Sequence, residues 1–192
     1  MIKLIGLNKI KTAIFISGNG SNFKRLYKLS LSKGSPITVC LVVSDNKNAK
    51  GLIYAKKFKL KIKIYQFENK QITENKLLNY LKKNNIKLIC LAGFMKILRK
   101  NFIKKFNGKI LNIHPSLLPK FKGLNTHERA IQNKEKFSGC TVHYVSSKLD
   151  SGKIILQKKV KINKKDTSKS LAKKVLKQEH ILYFKAIKKI IF

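Results

Sequence analysis

Short apolar runs alternate with segments of helical periodicity along this chain. The apolar runs predict strands at residues 12–17, 37–43, 61–65, 87–92, 109–113, 139–145 and 154–162. Apolar residues at helical spacing predict helices at residues 23–30, 49–58, 72–82, 97–106, 126–132 and 167–190. Thr167 is the expected N-cap of the last helix.

This alternation determines the fold class that we expect. Strand–helix–strand units build mostly parallel sheets that are covered by helices. We therefore predict one α/β domain, a Rossmann-like fold in which a mostly parallel twisted sheet carries helices on both faces. The domain is expected to span residues 1–192, with residues 1–10 as an N-terminal extension. Ligands of such folds bind beyond the carboxyl ends of the strands, so the turns that follow strands are the candidate site.

The chain is strongly basic, with a net charge of +36 over 192 residues. Its lysines are spread over the whole sequence. Arginine, the usual side chain for reading bases and gripping phosphate, occurs only at Arg25, Arg99 and Arg129. This distribution argues against a specific nucleic-acid partner, although nonspecific adhesion to RNA at low salt is expected. A basic RNA-binding module remains an alternative.

The sequence indicates neither a membrane protein nor a metal site. No apolar run reaches the roughly 18 residues of a membrane span, and the first ten residues do not resemble a secretion signal. Cys40, Cys90 and Cys140 match no metal spacing and no disulfide framework, so we interpret them as buried, reduced thiols of a cytoplasmic protein. The histidines show no ligand spacing, and structural roles are expected for His127 and His143.

The most informative segment is Leu-Asn-Ile-His-Pro-Ser-Leu-Leu-Pro at residues 111–119. An apolar strand runs into Asn112 and His114, and prolines then stop regular structure. Alternation along the strand places both side chains on one face. An amide donor and an imidazole so placed can stabilise an oxyanion and move a proton. Asp150 lies in a predicted loop between strands, and its carboxylate is expected to raise the pKa of His114.

The first predicted strand ends in a glycine-rich turn, Ser-Gly-Asn-Gly-Ser-Asn at residues 17–22. Glycines let the backbone approach an anion, and the following helix N-terminus offers free N–H groups and a partial positive charge. The turn lacks the dinucleotide-binding spacing and the Walker lysine. A single phosphate is therefore the expected ligand, with a plain tight turn as the alternative.

Together these segments resemble the phosphoribosylglycinamide formyltransferases, the folate-dependent enzymes of purine synthesis, over about residues 11–183. The resemblance depends on residues 16–22 and 111–119, on Leu-Ala-Gly-Phe-Met at 91–95, on Gly-Leu-Asn-Thr-His at 123–127, and on Leu-Asp-Ser-Gly at 149–152. It implies the formyltransferase fold. It also implies transfer of the formyl group of 10-formyltetrahydrofolate, the co-substrate, to the amine of phosphoribosylglycinamide (GAR), with no metal.

The resemblance further implies roles for individual residues. Asn112, His114 and Asp150 would be catalytic. The substrate phosphate would bind Gly20, Ser21 and Asn22, and the rest of the nucleotide would contact Glu179. The folate would contact Lys70, Met95, Lys96, Ile97 and Leu98, together with Asn112 and Asp150.

This chain departs from the family pattern at three positions near the predicted ligands. Lys70 and Lys96 stand where relatives usually have arginine, and Asn125 stands where histidine is common. Lysine keeps the charge but loses the fork of the guanidinium, so weaker folate binding is expected.

Two related enzymes use the same formyl donor and are the alternatives. Methionyl-tRNA formyltransferase normally carries a C-terminal tRNA-binding domain, and formyltetrahydrofolate deformylase usually carries an N-terminal regulatory domain. We expect neither domain in this chain. The expected protein is a monomer or homodimer that acts on small molecules in the cytoplasm, away from membranes.

Overall fold

The computed structural model describes residues 9–66 and 68–192, and most of the predicted N-terminal extension, residues 1–8, lies outside them. Strands and helices alternate along the described chain. The strands are β1 Ile10–Ile16, β2 Ile37–Ser44, β3 Lys61–Ile64, β4 Leu88–Leu91, β5 Lys109–His114, β6 Phe137–Tyr144 and β7 Ile154–Lys161. The helices are α1 Ser21–Ser30, α2 Gly51–Lys57, α3 Lys70–Lys83, α4 Lys100–Lys105, α5 Thr126–Gln132 and α6 Ser168–Ile191.

These strands form one sheet in the order β3-β2-β1-β4-β5-β6-β7. Strands β1 to β5 pair in parallel, whereas β6 runs antiparallel to β5 and β7 antiparallel to β6. The strand order reverses between β1 and β4, which is where folds of this class bind ligands. The predicted mostly parallel sheet is confirmed.

Helices cover both faces of the sheet, as predicted. Helices α1, α2, α5 and α6 pack on one face, where Phe23, Ala130 and Tyr183 join the core. Helices α3 and α4 pack on the other face through Leu77 and Phe102. Successive residues of β1 alternate between these two cores, as the pleat of a strand requires. None of the helices in the described ranges has the length and apolar character that crossing a bilayer requires.

Helix α4 begins three residues later than the sequence predicts. Arg99 has an extended backbone with φ −70° and ψ 152°, and its N–H donates to the Glu74 carboxylate at 2.8 Å. Ile97 and Leu98 therefore belong to the loop before the helix rather than to its first turn. The predicted N-cap of α6 is confirmed, because the Thr167 side chain accepts from the Ser170 N–H.

The three cysteines are free, but they are not equally buried. Cys90 and Cys140 lie in the core, where burial raises the pKa of each thiol to about 12. Such thiols stay protonated and unreactive. Cys40 is only half-buried, so the prediction of burial is wrong for this residue. It occupies β2 where that strand's pairing with β1 shifts register, next to Val39, which faces the core.

One tyrosine joins α6 to the strand ends that carry the candidate site. The Tyr183 hydroxyl lies 2.9 Å from the Leu91 carbonyl oxygen and 3.0 Å from that of Leu111, and it donates to them. Burial raises the pKa of Tyr183 well above its ordinary value, so the hydroxyl remains a donor. Because these carbonyls belong to β4 and β5, Tyr183 fixes the position of Asn112, the next residue of β5.

Candidate active site

A cavity of about 470 Å³ opens beyond the carboxyl ends of β4 and β5. Most of the predicted site residues line it: Asn22, Met95, Lys96, Ile97, Leu98, Asn112, His114, Asp150 and Glu179. Gly20 is the N-cap of α1, Ser21 is its first residue, and Lys70 is the exposed first residue of α3. These three predicted residues do not line the cavity.

The end of β5 presents Asn112 and His114 to the cavity, as strand alternation predicts. Asn112 is paired with His143 of the antiparallel strand β6, and His114 with Thr141. His114 is 5% exposed, whereas Asn112 is half-buried. The imidazole is therefore held in the wall of the cavity, with the amide nearer to its opening.

Both ring nitrogens of His114 face oxygen atoms. Nε2 lies 2.8 Å from the carbonyl oxygen of Phe121, and Nδ1 lies 3.3 Å from Oδ2 of Asp150. A carbonyl and an ionised carboxylate can only accept. A doubly protonated ring satisfies both oxygens, whereas a neutral ring leaves one lone pair facing an oxygen. The surroundings of this imidazole thus become favourable when it gains a proton.

Asp150 acts to raise the pKa of His114, as expected, but the expectation that this pKa lies above its ordinary value is wrong. Burial has the largest effect and lowers the pKa of His114, while the Phe121 carbonyl and the Asp150 carboxylate oppose it only in part. Burial acts to raise the pKa of Asp150, but the neighbouring His143 ring and the hydrogen bond from the Gly123 N–H hold it below its ordinary value. At neutral pH the pair is therefore a carboxylate beside a neutral imidazole.

His143 orients Asn112, a role that the sequence did not reveal. Its Nδ1 lies 2.8 Å from the Tyr144 carbonyl oxygen, so Nδ1 carries the hydrogen and Nε2 is left as an acceptor. Asn112 Nδ2 lies 3.3 Å from this Nε2 and 3.4 Å from Oδ1 of Asp150. Both distances are long for hydrogen bonds. The Asn112 amide therefore has a defined orientation, but its N–H groups form only weak hydrogen bonds.

The backbone of residues 121–125 supplies two further contacts to the site. The Phe121 carbonyl meets His114, and the Gly123 N–H donates to Asp150 Oδ2 at 2.9 Å. Phe121, Gly123 and Asn125 all have positive φ angles, of 53°, 78° and 56°. The Gly-Leu-Asn-Thr-His stretch marked part of this turn in the sequence, but no residue pattern indicates that Phe121 adopts a left-handed backbone.

The glycine-rich turn is confirmed as the start of α1. Gly20 has φ 68°, and a Cβ atom there would lie 2.7 Å from Gly51 Cα, so only glycine fits. The first N–H groups of a helix have no carbonyl partner within it and face outward from the turn. This geometry suits an anion, the ligand that the sequence predicts.

Asn22 connects this turn to α6. Its Nδ2 donates to Oε2 of Glu179 at 2.6 Å, deep in the cavity wall. Its Oδ1 is buried and has no hydrogen-bond partner among the described residues. Burial raises the pKa of Glu179, although the bond from Asn22 opposes this effect. The two side chains therefore present acceptor atoms to whatever fills the cavity.

The loop between β4 and α4, which lines another side of the cavity, is hydrogen-bonded to the residues that follow β1 and β2. Ser17 Oγ donates to Asp45 Oδ1 at 2.5 Å and accepts from the Met95 N–H at 2.8 Å. Lys96 Nζ lies 4.0 Å from Asp45 Oδ2. Met95 and Ile97 are 63% and 55% exposed. This loop offers an apolar ligand surface beside a cation, and Asp45 was not among the predicted residues.

His127 lies in the first turn of α5, as predicted, and also lines the cavity. Its Nδ1 is buried without a hydrogen-bond partner among the described residues, and burial lowers its pKa. Within residues 9–66 and 68–192, no group of three or more histidine, cysteine, aspartate or glutamate side chains could hold a metal ion.

Comparison with known proteins identifies the class to which this fold and site belong. Residues 10–187 match the formyl transferase family, so the chain belongs to that family. It is 39% identical over 179 residues to the phosphoribosylglycinamide formyltransferase of Haemophilus influenzae, which covers 93% of this chain and 85% of that protein. It is 38% identical to the trifunctional purine biosynthetic protein adenosine-3 of Gallus gallus, but spans only 18% of that protein's length.

Solved structures agree with this assignment. The phosphoribosylglycinamide formyltransferase of Brucella melitensis superposes with a TM-score of 0.91 at 40% identity, over 96% of both chains. The one from Anaplasma phagocytophilum gives a TM-score of 0.89 at 38% identity, over 96% of this chain and 87% of that one. The predicted formyltransferase fold and the family resemblance are confirmed.

Proposed function

We propose that this chain transfers the formyl group of 10-formyltetrahydrofolate to the amine of GAR, giving formyl-GAR and tetrahydrofolate in purine biosynthesis. One observation carries the proposal: Asn112, His114 and Asp150 meet in one cavity of a formyl transferase fold. Relatives at 38–40% identity that bear the name phosphoribosylglycinamide formyltransferase support the choice of acceptor.

The reaction sets two demands on the site. The amine lone pair attacks the formyl carbon, and the carbonyl electron pair moves onto oxygen. The bond from the formyl carbon to the folate nitrogen then breaks, and the folate nitrogen receives a proton in place of the one that the amine loses. The site must therefore stabilise an oxyanion and move one proton between two nitrogens.

Asn112 and His114 are suited to these two tasks. The two contacts of Asn112 Nδ2 are long, so this donor can shift to a developing oxyanion at a shorter distance. His114 is neutral at neutral pH, because burial lowers its pKa. Negative charge that develops beside it raises this pKa, so the ring, or a water held by Asp150, can carry the proton from the amine to the folate nitrogen. Asp150 stabilises the charged ring meanwhile.

The substrates are assigned to opposite sides of these residues. The N-terminus of α1, with Gly20, Ser21 and Asn22, would bind the GAR phosphate. Glu179 would accept hydrogen bonds from the hydroxyl groups of the sugar. Met95, Ile97 and Leu98 would contact the folate rings, and Lys96 would attract a carboxylate of the folate tail. Lys70 lies outside the cavity, and a contact with the end of that tail remains a proposal.

We extend the proposal to the context of the enzyme. The family match over residues 10–187 supports a single formyltransferase domain across residues 1–192. Cys90 and Cys140 are unpaired and buried, which fits a cytoplasmic protein. The substrates are small molecules, with no specific nucleic-acid partner and no metal, and the protein is a monomer or homodimer.

An assay with purified protein, GAR and a formyl-folate analogue tests this function. Loss of the formyl group from the folate is followed by absorbance, and formyl-GAR is identified by mass. Turnover must depend on GAR. Formyl loss without GAR would instead indicate a deformylase, and transfer to methionyl-tRNA would indicate the other related enzyme. No GAR-dependent turnover would overturn the proposal.

A further inference from the structure

Arg129 is one of only three arginines among 44 basic residues, and it lies beside the candidate site. Its side chain folds back from α5 onto the turn formed by residues 121–125. Nη1 donates to the carbonyl oxygens of Lys122 at 2.7 Å and Leu124 at 3.3 Å. The guanidinium carbon lies 5.3 Å from the centre of the Phe121 ring. One planar group therefore contacts three residues of this turn.

The same turn contacts two of the proposed catalytic side chains. The carbonyl of Phe121 meets His114 Nε2 at 2.8 Å, and the N–H of Gly123 meets Asp150 Oδ2 at 2.9 Å. The Lys122 carbonyl and the Gly123 N–H are the two ends of one peptide group. In a trans peptide they point in opposite directions. This peptide group therefore lies between the guanidinium of Arg129 and the carboxylate of Asp150.

We propose that Arg129 is a positioning residue for formyl transfer, which acts on Asp150 through the Lys122–Gly123 peptide and on His114 through Phe121. The catalytic part of this inference depends on the function proposed above. A guanidinium on the carbonyl side polarises the peptide and strengthens the hydrogen bond that its N–H gives to the carboxylate.

The backbone of the turn explains why such support is needed. Phe121, Gly123 and Asn125 are left-handed, and the first and last of these are not glycine. Asparagine adopts this conformation readily, but a left-handed phenylalanine persists only where surrounding contacts hold it in place. Arg129 supplies such contacts from α5, with its guanidinium over the Phe121 ring, while Lys122 Nζ donates to Ser151 Oγ at 2.5 Å.

Lysine cannot reproduce these contacts. A guanidinium has five N–H donors in a rigid plane, whereas an ammonium is a point charge on a flexible stem. It cannot bridge two carbonyls and lie on a ring at once. The Arg129→Lys variant therefore keeps the charge near His114 but removes the support of the turn. Arg99→Lys is the matched control, because Arg99 Nη1 contacts only Gln71 Oε1, at 3.3 Å, among the described side chains.

The first measurement is steady-state kinetics with GAR and the formyl-folate analogue. For Arg129→Lys we expect kcat to fall roughly 10- to 100-fold, because small misplacement of reacting groups is costly. We expect KM for GAR to stay within about two-fold, because the phosphate binds at α1. Arg99→Lys should retain both parameters. Unchanged kcat in the folded Arg129→Lys variant would overturn the catalytic part of the proposal.

The second measurement is NMR titration of His114 in the unliganded protein, and it needs no activity. The groups that face His114 are Asp150 from the β6–β7 loop, His143 from β6, and His127 and Arg129 from α5. Because lysine retains the charge, a loosened turn should only weaken the contacts of Phe121 and Asp150. The pKa of His114 should therefore move further down, while His180 on α6 stays unchanged.

A purely stabilising role for Arg129 predicts a lower melting temperature with an unchanged His114 titration, and that result would overturn the proposal. If Arg129→Lys does not fold, Arg129→Gln retains one planar amide donor for the Lys122 carbonyl, and the kinetic measurement decides, because loss of the Arg129 charge by itself raises the pKa of His114. If the parent protein shows no turnover with GAR, the proposed function fails, and the His114 titration alone decides the role of Arg129.

Discussion

His114 Nδ1 and Asp150 Oδ2 lie 3.3 Å apart, and both side chains are more than nine-tenths buried. Burial penalises the charged imidazole more than this carboxylate and the Phe121 carbonyl favour it. The neutral imidazole is therefore ready to accept a proton, and it becomes an acid only when negative charge develops beside it.

The titration of His114 should reflect this balance. In the unliganded protein its pKa should lie below the ordinary value of about 6.5. Asp150→Asn should lower it further, because the negative charge of Asp150 beside the ring is removed. The measurement is NMR of the histidine ring signals, with His180, whose own pKa is lowered by burial and by Arg25, as the internal reference. A rise in the His114 pKa in Asp150→Asn would contradict this account.

The lowered pKa of His114 also determines how the stability of the protein changes with pH. A histidine whose pKa is depressed by folding takes up its proton more readily in the unfolded chain. Its contribution to stability is therefore present above the unfolded value of about 6.5 and is lost as the pH falls through the folded value. Chemical denaturation at several pH values measures the free energy of unfolding of the parent and of His114→Gln. As the pH falls below about 6.5, this free energy should decrease less in the variant.

Removal of the His114 imidazole should slow the chemical step without weakening substrate binding. His114→Ala should lower kcat at least about 100-fold, because proton transfer by a positioned group is lost. GAR binding should persist, because the proposed phosphate site at α1 is untouched. Kinetics with isothermal titration calorimetry checks both expectations, and His180→Ala is the control. Near-wild-type kcat in His114→Ala would remove this residue from the mechanism.

Glu179 should contribute to binding at a cost in stability. In Glu179→Gln, KM for GAR should rise roughly 10-fold, because a charged acceptor becomes a neutral one. KM for the folate should be unaffected. Burial raises the pKa of Glu179, so its contribution to stability is lost as the pH rises through that value. At neutral pH the variant should therefore melt at a higher temperature, as a thermal scan in parallel with the assay will show.

Tyr183→Phe should destabilise the protein by about 1–3 kcal/mol, because two buried carbonyl groups lose their donor. Urea denaturation measures this loss. Tyr27→Phe is the matched control, since the Tyr27 ring stacks on Phe58 and the substitution keeps that contact. Equal stabilities of the two variants would show that the Tyr183 hydroxyl does not join α6 to the sheet.

Lys96→Arg should improve folate binding, since it supplies a fork in place of a point charge. The apparent KM for the formyl-folate analogue should fall by about three- to ten-fold, equivalent to roughly 1 kcal/mol. The nearby Asp45 carboxylate should still hold the longer side chain at the rim. Lys100→Arg, on the exposed face of α4, is the control. An unchanged KM in Lys96→Arg would indicate that this cation does not meet the folate.

Local patterns in the sequence were sufficient to predict much of this architecture. Helix α5 begins and ends where its periodicity predicts, and the alternation of β5 places Asn112 and His114 on one face. Contacts between distant segments were not encoded in such patterns. Helix α4 starts late because Glu74 accepts the N–H of Arg99, and the Ser17–Asp45 bond joins two strand ends.

The charge state of His114 was harder to predict for a related reason. Sequence reasoning could pair it with Asp150, but the cost of burial depends on everything that packs around the ring. The turn at residues 121–125 is a similar case. Its left-handed Phe121 is stabilised by Arg129 from the next helix, and neither residue alone indicates the other.

The close approach of Gly20 to Gly51 has a consequence for how the chain can vary in length. Two segments that are distant in sequence are in direct contact here, because the Gly51 N–H also donates to the Gly18 carbonyl at 2.9 Å. The shape of the glycine-rich turn is therefore fixed from outside by the start of α2. Residues inserted at 45–50 would deform that turn without touching its sequence, whereas the exposed turn at 31–34 can change length freely.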